Sequence, residues 1–392
     1  MKSGFEKRKL GELVTFTTGK LDSNAAVPDG DYPFFTCSQE TLRTNTFSFD
    51  DECVLLAGNN ATGIFPLKYF KGKFDAYQRT YVVRPRDVDL LTTKFLYYAL
   101  WLKLDEFRSF STGAATKFLT LTILNETEIS APPLSTQRRI ASILSAYDDL
   151  IENCQRRIKI LEAMARALYR EWFVHFRFPG HQNHPRVASP LGEIPEGWEV
   201  AKLGDVAAVN RALINARSAP NELHYIDIAS VSPGQIDSVT TYSFADAPGR
   251  ARRVVQHGDV LWSCVRPNRR SFALVMRPEA GTIASTGFAV LTATKVPFAF
   301  LYFATTTDAF VAYLSNNATG AAYPAVTAPT FEKAELVIPG AALLNRFGEL
   351  AKPMLEETHA LQMKVQNLRR TRDLLLPRLL SGQIALDQLE VA

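Results

Sequence analysis

Two stretches of this chain place an apolar residue at every seventh position. In STQRRIASILSAYDDLIENCQRRIKILEAMARALYREW, which starts at Ser135, the residues Ile140, Tyr147, Cys154, Leu161 and Leu168 keep that spacing. Leu144, Ile151, Ile158, Ala165 and Trp172 follow each of them by four. An a/d stripe held for about five heptads predicts one long helix. Pro132 and Pro133 block an earlier start, Ser135 is placed to cap, and Pro179-Gly180 forms a stop. The helix is therefore expected over 135–178, ~60 Å long at ~1.5 Å per residue. The second stretch, expected over 341–382, repeats the stripe with Phe347, Met354, Leu361, Val365, Leu368 and Leu375. It is the poorer copy, because Pro353 and Pro377 are expected to kink it and Thr358 and Arg372 occupy companion positions. A helix with one narrow apolar stripe needs a partner for it. Antiparallel pairing of the two helices is expected, with the seam between them; packing of each helix on its own globule is the alternative.

The remaining segments are written in a different period. Short β-rich runs such as ECVLLAG, RTYVVRP, GDVLWSCV and SFALVM are bounded by Gly, Pro, Asn and Asp, and each segment adds an apolar helical run, KFLYYALWL or FLYFATTTDAF. The segments are also copies of one another. Thr112-Gly113-Ala114-Ala115 recurs as Thr319-Gly320-Ala321-Ala322, 207 positions on, and the same shift lays Gln78-Arg79-Thr80 on Ser285-Thr286-Gly287 and Leu161 on Leu368. Near the start the shift is 193, where Lys9-Leu10-Gly11 faces Lys202-Leu203-Gly204. A constant shift held this far marks a tandem duplication. The pentapeptide NNATG, at Asn59 and again at Asn316, fits no part of that alignment and reads as accidental. The fold class expected is α+β: two tandem mixed α/β domains joined by two long antiparallel coiled-coil helices, pseudo two-fold symmetric. The boundaries expected are a first domain 1–134, a helix 135–178, a linker 179–197, a second domain 198–340, a helix 341–382 and a tail 383–392.

Composition changes this picture little. Of 392 residues, 46% are apolar and 21% charged, as in an ordinary globular protein. The charged start MKSGFEKRKL, with no apolar run behind it, suggests neither a secretory signal nor a membrane span, so a cytoplasmic protein is expected. Cys37, Cys53, Cys154 and Cys264 lack paired spacing. His175, His181 and His184 straddle a Pro-Gly break without a cysteine or carboxylate partner, which disfavours zinc. There is no GxxxxGK[ST] loop and no Gly-rich dinucleotide turn, so no catalytic site, cofactor or metal is expected in this chain.

Two similar heads at a fixed separation suit a ligand that repeats along a line, and double-stranded DNA is such a ligand. Net charge does not point there: the first head has 16 basic and 16 acidic residues, the second 12 and 11. Distribution helps more. Six arginines face one acid between Arg250 and Ser271, and VRPNRRS gathers Arg266, Asn268, Arg269 and Arg270 on one loop. Arg and Asn are the side chains that pair bidentately with guanine and adenine edges. In the first head the matching candidates are Asn59, Asn60 and Thr62 in GNNATG and Gln78 and Arg79 in YQRTY. Thr112 and Lys117 in STGAATK offer groups suited to phosphate. Thr286, Thr319 and Tyr323 are further candidates in the second head. A solvated arginine loop and plain glycine turns are the structural alternatives.

The run PPLSTQRRIASILSAYDDLIENCQRRIKILEAMARALYREWFVHFRFPGH, followed by LGEIPEGWEVAKLGDV, closely resembles the central conserved region of the DNA specificity subunits of type I restriction-modification systems. The resemblance implies a non-catalytic subunit with two target-recognition domains, each reading half of a split DNA sequence. Its helices would set the spacing and dock two methyltransferase (modification) subunits carrying S-adenosylmethionine. Two restriction subunits using ATP and Mg would join that complex. No base contact carries over by residue. The second copy departs from the pattern, with Pro339-Gly340 and LLNRF where the first has PPLSTQRRI. A structural coiled-coil adaptor without base readout, or a methyltransferase or nuclease in its own right, are the competing readings.

Overall fold

A computed structural model of the chain describes residues 5–113, 116–215, 217, 220–384 and 386. Residues 1–4 of the expected first domain, Ala114 and Ala115 of the repeated tetrapeptide and most of the 383–392 tail lie outside these. The chain divides into two compact units, one comprising residues 1–153 with 365–392 and the other residues 154–364. Each unit thus unites a head with part of both long helices, where the sequence suggested heads and helices as separate segments.

The head of the first unit is a six-stranded sheet. Its strand order is Val14–Thr18, Thr80–Pro85, Phe49–Ala57, Leu67–Ala76, Tyr32–Phe35 and Leu42–Thr44. All pairings are antiparallel except that of Tyr32–Phe35 with Leu67–Ala76. The second head distributes the plan over two four-stranded sheets, one centred on Val260–Ser263 and Phe288–Ala293, the other on Glu222–Ile226 and Thr282–Ser285. Both heads close the same way, by pairing their first strand with their last: Lys7–Lys9 with Glu128–Ser130, and Glu199–Lys202 with Glu335–Ile338.

The first long helix spans Leu134–Tyr169 and continues as a π-helical turn, Arg170–Val174. Two details differ from expectation. Ser135 lies inside the first turn, and the helix entry is fixed instead by buried Gln137, whose Nε2 donates to Leu90 O and Pro132 O while Thr92 N donates to its Oε1. The end comes well before Pro179. There Arg177 N donates to Glu171 O across Phe176, which takes a left-handed φ of 57°, a closure one residue longer than the six-to-one bond of a Schellman motif. Widening to a π turn lets the neighbours Trp172 and Phe173 both bury.

The second helix, Ala341–Leu380, is a single element that runs through both Pro353 and Pro377. The companion positions Thr358 and Arg372 are buried. Of the expected seam residues, Ile140, Leu144, Ile151, Trp172, Phe347, Leu361 and Val365 are buried, and Tyr147, Ile158, Leu161, Leu168, Met354, Leu368 and Leu375 half-buried. Within the first unit Ile140 and Leu144 share a core with Leu376, Leu379 and Leu380, and Arg372 bonds Asp148. Within the second, Arg157 pairs with Glu357 and Tyr169 packs on Phe347. In both, advancing along one helix means retreating along the other.

The span 179–197, expected as a linker, contains an antiparallel hairpin, Arg186–Ser189 with Gly192–Pro195. Ile194 and the flanking Phe178 and Trp198 are buried in the core of the second unit, the two rings packing in a tilted pair with centroids 5.2 Å apart.

Candidate nucleic-acid interface

In the first unit the central strand runs out at Gly58. Gly58 N donates to Arg79 O (2.8 Å), and Leu119 N donates to Gly58 O (2.9 Å). Beyond it Asn59-Asn60 pairs antiparallel with Lys117-Phe118. Three loops separated in sequence, GNNATG, YQRTY and STGAATK, therefore meet along one edge. Glycine is required at position 58, since a Cβ there would lie 2.6 Å from Arg79 O.

The second unit repeats this arrangement. Its central strand runs out at Cys264, whose N donates to Gly287 O (2.8 Å), while Val326 N donates to Cys264 O (2.9 Å) and Arg266 N to Pro324 O (2.7 Å). VRPNRRS, the Ser285-Thr286-Gly287 turn and the second TGAA loop converge. The two TGAA loops are closed alike: Thr112 and Phe118 exchange backbone bonds of 3.2 and 2.7 Å, Thr319 and Ala325 bonds of 2.9 and 2.9 Å. Gly113 and Gly320 carry φ of 110° and 100°, a region that residues with a Cβ avoid. The recurring tetrapeptide thus marks one backbone device used twice. The repeated NNATG does not: Asn59 begins a loop-edge strand, whereas Asn316 ends the helix Asp308–Asn316.

Side chains on these edges differ in availability. Asn59 is half-buried. Asn60 Oδ1 accepts from Thr62 N (2.8 Å) and Thr62 Oγ1 (2.7 Å), so the pair forms a turn on itself. Gln78 Nε2 donates to Asp22 Oδ1 at 2.6 Å. Exposed Arg79 lies over the Phe118 ring at 5.9 Å, and Thr112 is exposed beside half-buried Lys117. In the second unit Asn268, Arg269, Thr286, Thr319 and Tyr323 are exposed, and Arg266 and Arg270 half-buried. Arg250 is drawn aside into an ion pair with Asp227 at 2.9 Å. Cys264, at the root of the arginine loop, stays a neutral thiol because burial pushes its pKa up to about 11.

Sequence reasoning missed Arg108. It is exposed on the short helix Leu104–Phe110, and a Cβ placed on Gly63 would meet Arg108 Cγ at 3.4 Å and Lys117 Cγ at 3.3 Å. Arg79, Arg108 and Lys117 thus add three cations to the first edge. Arg108 had no local signal, since a helix surface arginine looks the same wherever the helix packs.

The histidines of the former linker are engaged with backbone carbonyls, His181 Nδ1 with Phe178 O and His184 Nε2 with Glu196 O, both at 2.8 Å, and His184 stays exposed. Among the described residues no group of three or more His, Cys, Asp or Glu is gathered as for a metal ion. No helix among them is long and apolar enough to cross a membrane.

A duplicated head built on one loop edge, with two long helices, is the fold of a type I restriction-modification S subunit: the crystal structure of that subunit from M. genitalium superposes with a TM-score of 0.67, at 16% identity, over 96% of each chain. Residues 2–163 match the family model of the type I restriction modification DNA specificity domain. The EcoDI specificity subunit of Escherichia coli is 31% identical over 284 residues, which cover 66% of this chain and 61% of that protein, less than two thirds of its length. The MjaVIII specificity subunit of Methanocaldococcus jannaschii is 22% identical over 98% of this chain and 94% of its own. Over these spans the chain is similar to the type I restriction-modification specificity subunits.

Proposed function

We propose that this chain is the sequence-reading, non-catalytic subunit of a type I restriction-modification complex, and that each unit reads one half of a bipartite target on double-stranded DNA through its three-loop edge. The observation that carries this is the recurrence of the same edge in both units, at a strand end that Gly58 and Cys264 tie to the same two neighbouring loops. Amides, arginines and hydroxyls meet there, the groups that read base edges and position phosphates. In this reading the long helices form an antiparallel coiled coil with pseudo two-fold symmetry that spaces the heads. They also dock two methyltransferase subunits, which supply S-adenosylmethionine. Restriction subunits using ATP and Mg complete the assembly in the cytoplasm.

Because neither head is strongly basic, partner subunits are expected to neutralise most of the phosphate charge. Titrating labelled target DNA with this chain alone and then with methyltransferase added tests this. Weak, unselective binding alone and tight, selective binding in the complex are expected; equal tight binding in both would count against it. Adding one heptad to both helices in register should part the heads by ~10 Å, about three base pairs at ~3.4 Å each. The methylated motif would show that as a longer spacer, and an unchanged spacer would refute the ruler.

A further inference from the structure

The four polar residues of VRPNRRS stand together in sequence but not in role. Arg266 and Arg270 both adopt the left-handed conformation, with φ of 51° and 56°, and bracket a 3-10 turn, Pro267–Arg269. That conformation is unfavourable for a residue with a Cβ and persists only where the surroundings hold it. Here they do. The guanidinium of Arg266 lies over the Tyr323 ring at 4.7 Å and donates from Nη2 to Ala322 O at 3.3 Å, which fastens the turn to the TGAA loop. Arg270 pairs with Asp308 in the first turn of the helix Asp308–Asn316. Pro267 is buried, and Arg269 N to Arg266 O (2.9 Å) and Arg270 N to Pro267 O (3.0 Å) close the backbone.

What this clamped turn holds out are Asn268 and Arg269. Both are exposed, and no side-chain hydrogen bond or ion pair engages either among the described residues. A loop whose backbone is fixed in advance loses little conformational freedom on binding, and the planar fork of arginine matches the O6 and N7 acceptors of guanine. We infer that Arg269 and Asn268 are the base-reading side chains of the second unit, Arg269 reading a guanine in the major groove and Asn268 a neighbouring base, while Arg266 and Arg270 position the turn. This rests on the reading of the three-loop edge as the DNA face. The first unit offers no counterpart, since its equivalent loop, GNNATG, has no arginine and closes Asn60 on Thr62.

The test uses the chain assembled with its methyltransferase subunits and reads the methylated motif across the host genome. R269A and R269K should each relax one G·C position in a single half-site, lowering the preference for that pair on the order of 10- to 100-fold and leaving the other half intact. R269K should keep the salt dependence of binding, because it keeps the charge and loses only the fork. N268A should relax a neighbouring position of the same half. An unchanged motif in R269A and R269K, with T319A or T286A altering that half-site, would overturn the assignment while leaving the edge as the DNA face. If R269A, T286A and T319A combined leave both motif and affinity unchanged, the edge does not face DNA and both readings fall. Thermal melts of R269A and R269K should match the parent, since Arg269 holds nothing in the fold; a melt lowered as far as for a buried contact would count against a base-reading role.

Discussion

The two places where a head meets the long helices are copies in sequence and opposites in chemistry. In the second unit the contact is aromatic. Phe347 is fully buried against Tyr169, Trp172, Phe173 and Phe303, with ring centroids 5.0–6.2 Å apart. In the first unit the residues related to these by the 207-residue shift are Ile140, Leu376, Leu379, Leu380 and Leu96, all buried and aliphatic. Two turns further on the contrast reverses. Leu355 and Ala165 in the second unit correspond to Asp148 and Arg372 in the first. Arg372 Nη1 donates to Asp148 Oδ1 at 2.6 Å, its Nη2 to Asp373 at 2.9 Å, and its guanidinium lies over Trp101 at 4.3 Å. Tyr98, on the head, donates to the other Asp148 oxygen at 2.6 Å. Burial works against the charge on Arg372, but the hydrogen bonds to Asp148 and Asp373 outweigh it and raise the pKa. One duplicated scaffold therefore fills the same space in two ways, large rings beside a small residue or branched aliphatics beside a long ion pair. Filled volume is what the fold demands of these positions; polarity is negotiable where every partner is present.

The sharpest break is Phe347→Ala. Removing a fully buried ring that touches four others should cost about 3–5 kcal/mol, read as a lower unfolding midpoint of the second unit in denaturant. Arg372→Ala should cost somewhat less, about 2–4 kcal/mol, because Asp148 is 28% exposed and water compensates part of the lost pairing. The instructive variant converts one junction toward the other. Y98F/D148L/R372M leaves no buried group unpaired, since Asp373, which also loses Arg372, is exposed to water, and it should be markedly more stable than Arg372→Ala alone; equal loss would mean that the pair is required in itself. Tyr98→Phe alone should cost only about 1 kcal/mol, since Asp148 keeps Arg372. The smallest effect is set by pH. His359, on the second helix in the second unit, has its pKa lowered from 6.5 by burial and then by the nearby positive charges of Arg277 and His257. Its stabilising contribution is complete above pH 6.5 and is lost as pH falls through the lower folded value. Thermal melts over that range should show the second unit weakening, and His359→Gln should flatten the trend.

Much of this was legible beforehand, for a physical reason. The heptad stripe needs only local spacing, and every expected seam residue lies buried or half-buried. The duplication needs only a constant shift, and both TGAA loops close across the same six-residue span. Arg372 was read as a flaw in the stripe because its compensation comes from Asp148 and Tyr98, more than 200 residues earlier in the chain. The hairpin at Arg186–Pro195 was read as a linker because its anchors are single aromatic residues with no period of their own. The interface candidates were recognised as residue types on loops. Which of them are spent on the fold, as Asn60 and Arg270 are, depends on neighbours that no local pattern reveals.

Sequence alone determined the architecture in outline: two copies of a mixed α/β head, each followed by a long helix with one apolar stripe, because period, turn chemistry and repeat are properties of near neighbours along the chain. Tertiary structure alone decided what fills each junction, which loops share an edge and which side chains on that edge stay unengaged. Those outcomes are contacts between distant segments, and they exist only once the backbone has brought the segments together.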